Sequence, residues 1–258
     1  MPQEPDKVVK SVVRSMSILE LIAKSSDPLG VTEISKELDI HKSTVHRLLE
    51  TMKYLGYISQ NESTGKYSTG LKLFEIGSLA IDDLDLNKTV EPYLEDLMKE
   101  TGETIHLAVL DSGEIVYTGK VESQKTIRMY SKIGKRVFAH STSLGKVILA
   151  YSSQEKKKEI IRNKGLPKQT DNTIDEKEEF FQHLDTVKEQ GYAIDDEENE
   201  VGIRCIAGPI FNHKGETIAA FSISGPATRM TTEKINEYTD LVCDYSQRIS
   251  HALGYNGS

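Results

Sequence analysis

Cysteine is scarce in these 258 residues. Only Cys205 and Cys243 occur, too few for a disulfide framework. Long apolar runs are missing too: none approaches the roughly 20 residues that a membrane-spanning helix needs. The opening MPQEPDKVVKSVVR lacks the apolar stretch of a signal peptide, so a cytoplasmic protein without membrane contact is expected. Positive charge is in deficit, with 32 Lys+Arg against 40 Asp+Glu and a net charge of −8. The deficit is uneven, because residues 1–70 hold 9 of each sign and the whole excess lies in 71–258. Gripping duplex DNA through bulk positive charge is thereby excluded, and any nucleic-acid role must rest on a local arrangement of side chains. The asymmetry suggests two segments with different tasks, and the length allows each its own core.

What is present is periodic. From Ser11 to Ala23, Val12, Met16, Leu19 and Ile22 recur at the spacing of one helix face. Turn residues 25–30 end that stretch, and VTEISKEL follows with Thr32 as the expected N-cap and Ile34 and Leu38 as its apolar stripe. A short connector, 39–41, leads into KSTVHRLLETMKYLGYI, whose inward face is Val45, Leu48, Leu49 and Met52. Residues 56–59 and 66–68 then read as two short strands around a polar turn. Three helices and a hairpin in about 70 residues, with a tight turn before the third helix, is the order of a winged helix-turn-helix.

Residues 71–86 read as a linker helix carrying Leu71, Phe74, Leu79 and Leu86, and another helix follows Asn87 with Leu94, Leu97 and Met98 inward. From Thr104 the period becomes that of strands: IHLAVL and IVYTGKV as a hairpin, TIRMY at 126–130, then GYAID, IRCIAGPIF and ETIAAFSISG. SLGKVILAY is a short helix, 155–163 and 176–190 are charged helices expected at the periphery, and Thr231 to Ala252 closes the chain. The class is α+β: a winged helix-turn-helix at 1–70, a linker helix at 71–86, and a domain with a mainly antiparallel sheet at 87–258.

If Val45, Leu48, Leu49 and Met52 face inward, the opposite side of the third helix carries Ser43, His46, Arg47 and Glu50, with Lys42 and Thr44 in the first turn. Short hydroxyls at a helix N-terminus let backbone amides approach phosphate. Arginine and histidine reach base edges, arginine preferring guanine. Lys66 and Tyr67 on the hairpin and Arg14 on the first helix are candidate backbone contacts. A merely solvated face is the bland alternative, and the full helix–helix–turn–helix–hairpin order speaks against it.

The run STVHRLLETMKYLGYI followed by GKYSTGLKLFEIG resembles the IclR family of bacterial transcriptional regulators, and the similarity continues through AHSTSLGKVILA, GYAIDDEENEVGIRCIAGPIF and AAFSISGP. RMYSKIGKRVFAHSTSLGK is most similar to the KdgR-like branch, which senses 2-keto-3-deoxygluconate. The resemblance implies a winged helix, a linker helix and a GAF-like effector domain, assembled as a homodimer or a dimer of dimers. The implied partners are a double-stranded operator and a small organic acid. The function it implies is a repressor of a catabolic operon, and it implies no cofactor and no enzyme. Carried over by position, the effector contacts are Met129, Ser143, Leu144, Asp195, Ile203, Cys205, Ser222 and Ser224. The residues themselves agree in part. Ser222 and Ser224 alternate onto one strand face, as do Ile203 and Cys205, and Ser143 opens a helix that can hold a carboxylate. Asp195 fits poorly, since a bare carboxylate repels an anion; a ligand hydroxyl would suit it better. Dimerisation is expected through helix one and the linker helix, where Phe74, Leu79 and Leu86 would otherwise expose apolar area.

Two other classes are weaker. A metal-responsive regulator lacks a paired-ligand motif: the seven histidines are scattered, and His41 and His46 would point about 140° apart on a helix. A small-molecule hydrolase could be drawn from Ser143, His140 and Asp195, but no spacing supports it and there is no G-x-S-x-G. Gly145-Lys146 fails the phosphate-loop pattern because residue 140 is His and residue 147 is Val. A sensor that works through protein partners and no longer reads DNA leaves Arg47 and His46 unexplained.

Overall fold

A computed structural model describes residues 8–82, 85–126 and 131–256, and the chain divides into two compact units, Met1–Asp83 and Leu84–Ser258. In the first, α1 (Lys10–Lys24), α2 (Val31–Glu37) and α3 (Lys42–Tyr54) precede an antiparallel hairpin of β1 (Ile58–Gln60) and β2 (Tyr67–Thr69). Leu29 pairs with Tyr67 through two backbone hydrogen bonds of 2.8 and 2.9 Å, which ties the segment before α2 to the hairpin. The core is Ile18, Ile22, Ile34, Val45, Leu49, Met52, Ile58 and Tyr67. Where Gly70 leaves the hairpin, an added Cβ would lie 2.2 Å from the Gly56 carbonyl oxygen, so the chain passes there only without a side chain. The helix α4 (Leu71–Asp82) follows.

Three local expectations change in this unit. The buried face of α1 is Ile18 and Ile22, while Val12 and Met16 are exposed, so the spacing picked a stripe that crosses from the core to the surface. Gly30, not Thr32, caps α2, and the Glu33 carboxylate accepts the Gly30 N–H at 2.6 Å in place of a cap side chain. Leu86 does not lie on the linker helix: it belongs to α5 (Asp85–Thr101) and is buried in the core of the second unit.

The second unit is built on one six-stranded antiparallel sheet in the order β5-β4-β3-β8-β7-β6. Its strands are β3 (Thr104–Asp111), β4 (Glu114–Val121), β5 (Arg136–Phe138), β6 (Ala193–Asp196), β7 (Ile203–Phe211) and β8 (Thr217–Pro226). One face carries Ile105, Leu107, Ile206, Ile210, Phe221 and Ile223, packed under α5 and α9 (Thr232–Ala252). The other face carries the small residues Ala108, Ala193, Ala207 and Ala220, which let α6 (Ser143–Ala150) lie close to the sheet. Every residue of α6 is buried.

The helices α7 (Gln154–Lys164) and α8 (Lys177–Gln190) complete this side. They are less peripheral than their charge suggests, because Phe180, Leu184 and Val187 of α8 are fully buried in the core beside α6. The strand β5 was not foreseen: it is three residues long, and its Arg136 is paired with Asp111 and with Glu114. The strand expected at 126–130 falls mainly on 127–130, outside the described residues.

Candidate functional site

The α3 sequence sorts its side chains by period. Val45, Leu49 and Met52 are buried and Leu48 is half-buried, which leaves Lys42, Ser43, His46 and Arg47 exposed within six positions and Thr44 half-buried. His41 stands at the N-cap, and its carbonyl accepts the amides of Thr44 at 2.9 Å and Val45 at 3.0 Å. The tight turn before α3 holds Asp39 at φ 51°, and the Ser35 hydroxyl donates to the Ile40 carbonyl at 2.6 Å. Such a turn fixes the angle between α2 and α3. Glu50, the acidic residue next on the outer side, is paired with Lys53 at 3.4 Å, and Lys53 also donates to Gln60 of the hairpin at 2.8 Å. This polar surface is therefore not dominated by the carboxylate.

The other residues assigned to DNA divide. Arg14 is exposed on α1, and Lys66 is half-buried and paired with Glu33 at 3.3 Å. Tyr67 is a correction: only 1% of it is exposed, its ring is part of the core, and its hydroxyl is directed at Glu50 at 3.5 Å. Burial raises that phenol's pKa, and the Glu50 charge adds to the rise. A phenol held in this way does not serve as a surface contact.

In the second unit, strand alternation collects polar side chains on the face beneath α6. In register, Asp195 of β6 stands opposite Cys205 of β7, Cys205 opposite Ser224 of β8, and Ser222 opposite His106 of β3. All five are buried. The Ser222 and Ser224 hydroxyls lie 3.2 Å apart, Ser224 lies 3.2 Å from His106 Nδ1, and His106 Nε2 lies 2.6 Å from the Ser131 hydroxyl. The His106 ring sits 4.9 Å from that of Tyr117 on β4. Burial pushes the His106 pKa down to about 3, so the ring is neutral and donates through one nitrogen while accepting through the other.

The N-terminus of α6 closes over this layer. Thr142 is its N-cap and accepts the Gly145 amide at 3.2 Å, while Ser141 donates to Asn199 at 3.3 Å. Asp195 is 3% exposed; its Oδ1 accepts the amides of Glu198 at 2.8 Å and Asn199 at 3.2 Å. Burial nevertheless pushes its carboxyl up to about 7. Lys146 of α6 is fully buried and ion-paired with Glu198. No group of three or more His, Cys, Asp or Glu placed to hold a metal ion occurs among the described residues.

The fold thus brings Ser143, Leu144, Asp195, Cys205, Ser222 and Ser224 to the same side of the sheet, with Ile203 half-buried at the start of β7 on the Cys205 face. Met129 lies outside the described residues. Sequence reasoning missed His106, Tyr117, Ser131 and Lys146. The alternation of His106 with Ala108 was the available signal for the first, whereas Lys146 was weighed only as a phosphate-loop lysine.

Two family models match the chain. The "IclR helix-turn-helix domain" covers residues 11–62, and "Bacterial transcriptional regulator IclR C-terminal" covers 78–251. The HTH-type transcriptional regulator KdgR of Escherichia coli K12 is 40% identical over 256 residues, spanning 99% of this chain and 97% of that protein. The transcriptional repressor IclR of the same organism is 34% identical over 248 residues, 95% of this chain and 90% of the other. Among solved structures, the Thermotoga maritima IclR superposes with a TM-score of 0.79 at 35% identity, covering 95% of this chain and 99% of that one.

Proposed function

Because the chain belongs to the IclR family of bacterial transcriptional regulators, in its KdgR-like branch, we propose that it represses a catabolic operon and that a small organic acid modulates its grip on DNA. The observation that carries the effector reading is the buried row of Asp195, Cys205, Ser224, Ser222 and His106 beneath the N-terminus of α6. A site for a small, hydrogen-bonding acid needs a few placed polar groups of this kind. The helix terminus favours the negative end of such a ligand. A carboxyl at Asp195 whose pKa is near 7 removes the objection that two carboxylates would repel: in its neutral form it donates a hydrogen bond to a ligand oxygen. Hydroxylated acids, with 2-keto-3-deoxygluconate first, fit that chemistry best.

A thermal-shift screen against 2-keto-3-deoxygluconate, glyoxylate, pyruvate and aromatic carboxylates tests it. Sugar acids are expected to raise the melting temperature, and the Ser222→Ala/Ser224→Ala double variant is expected to lose that rise while keeping its fold. A rise with aromatic acids alone would overturn the sugar-acid assignment. The effector acts only in so far as it binds two states of the protein unequally.

The DNA-reading unit is proposed to work as a pair. Val12, Val13 and Met16 on α1 and Leu71 and Phe74 on α4 are exposed, Phe74 by 73%, and apolar area of this kind is covered in an oligomer. Phe74→Glu is expected to shift the light-scattering mass from dimer to monomer. An unchanged dimer would place the interface elsewhere.

A further inference from the structure

Lys146 has no task in the scheme above, yet a fully buried ammonium is costly and has to be compensated. Its partner Glu198 is 7% exposed and uses one carboxylate oxygen for the ion pair; the other, Oε2, is buried with no hydrogen-bond partner among the described residues. The pair is thus satisfied on one side only. The turn that carries Glu198 is held by other groups. Thr170 donates to the Glu197 carbonyl and Thr173 to the Glu198 carbonyl, both at 2.7 Å, and Asp195 accepts the Glu198 amide. The Glu198 side chain can therefore leave Lys146 while its backbone stays in place.

We propose that Lys146 is the counter-charge that selects an anionic effector, and that Glu198 holds this position until the effector's carboxylate displaces it. The inference rests on the reading of the polar layer as the effector site. An acid that enters brings one negative charge into a layer where Lys146 is already neutralised, so a proton must be taken up for the charge to balance. The groups that face the pair decide where it goes. His140 and His183 lie within reach of the Lys146 charge, and burial holds both below the usual histidine range. Burial pushes the Cys205 thiol and the Tyr117 phenol up, so both stay protonated. Asp196 is exposed and paired with Arg204. Glu197 is likewise paired with Arg204 and Glu200 is exposed, so among the described residues Asp195 and Glu198 are the buried carboxyls of this layer that can accept the proton near neutral pH, and binding of the acid is therefore tied to protonation of one of them.

Calorimetric titration of the full-length protein with 2-keto-3-deoxygluconate, pyruvate and glyoxylate at pH 6, 7 and 8 tests this, with the acid that binds run against its uncharged amide. For the wild type, affinity for the acid should fall by up to about tenfold from pH 7 to 8, the slope of one linked proton. Glu198→Gln should bind the acid about tenfold more tightly at pH 8 and lose most of the slope, with the amide unaffected. Acid binding by Glu198→Gln that is no tighter than wild type, or that keeps the full slope, would overturn the proposal. Should the lone lysine prevent folding, the Lys146→Met/Glu198→Gln pair removes both charges. It should reduce discrimination between acid and amide by about tenfold, and undiminished discrimination would equally overturn the proposal. If no acid binds the wild type, the effector reading itself falls. If an acid binds and Glu198 is indifferent, only the role of Lys146 does.

Discussion

Replacing Arg47 by alanine should abolish the mobility shift of a fragment carrying the promoter upstream of the protein's own gene, with circular dichroism and melting temperature unchanged. Arg47 is exposed on α3, one turn from the N-terminus and beside His46, while Val45 and Leu49 hold the helix from the opposite side. Its removal subtracts nothing from the core, so a loss of binding reports on DNA contact alone. A bidentate arginine–guanine pair contributes about 1–3 kcal/mol, and two half-sites double it, which corresponds to about a thirtyfold loss or more. Residues 1–70 balance at 9 charges of each sign, so there is no surplus of non-specific attraction to hide that loss. Lys42→Ala, which removes only a charge near the helix terminus, should weaken binding more evenly across sequences and lower its salt dependence by about one unit of slope per contact. A full shift with Arg47→Ala would place base recognition on other residues.

The two units differ in how much of them can be read from the chain. The winged helix was legible because each helix shows its buried face in the spacing: Val45, Leu49 and Met52 recur at four and three and are the residues found inside. In α1 the same reading went astray, since two apolar stripes share the helix. Ile18 and Ile22 face the core, while Val12 and Met16 are exposed, and periodicity alone does not say which stripe its own domain covers. Tyr67 misled for a related reason: a tyrosine on a short strand has a polar tip and an apolar ring, and only the pairing of Leu29 with it shows that the ring points inward. In α8 the charges obscured Phe180, Leu184 and Val187, although their spacing of four and three is that of a core helix.

The polar layer was half legible. Alternation correctly put Ser222 with Ser224 and Ile203 with Cys205, because a strand's period is two whatever surrounds it. The partners across the sheet were not available. His106 and Ser224 are 118 positions apart, and their contact depends on β8 lying between β3 and β7, an order that no local pattern encodes. Protonation states depend on the same long-range packing, so the difficulty with Asp195 could be named from the sequence, whereas the burial that raises its carboxyl could not.

That burial makes a second large effect measurable. With its carboxyl raised to about 7, folded Asp195 holds its proton over the range in which the unfolded chain, with an ordinary aspartate near 3.8, has released it. The folded state then binds more protons than the unfolded one between about pH 4 and 7, so this residue makes stability fall as pH rises through that window. His106 acts in the opposite direction. Its pKa drops from 6.5 to about 3, the unfolded chain binds the extra proton, and stability falls as pH drops below 6.5. The two contributions are of similar size and largely cancel between about pH 4 and 6.5. His183, lowered to about 4, and His140, also lowered by burial, act with His106, so the wild-type second unit should still gain stability as pH rises there, with Asp195 offsetting about one histidine's share.

Asp195→Asn removes one side of that balance while its side-chain oxygen still accepts the amides of Glu198 and Asn199. The variant should match the wild type near pH 4, where both carry a neutral side chain, and exceed it at pH 8 by as much as about 4 kcal/mol, the equivalent of a three-unit shift. For a unit of this size that is on the order of 10 °C in melting temperature. Between pH 4 and 6.5 its profile should climb more steeply than the wild type's, by the slope of the one proton that Asp195 no longer holds. A variant that is equally destabilised at every pH would mean that Asp195 is ionised in the folded protein and that its charge, not its proton, supports the site.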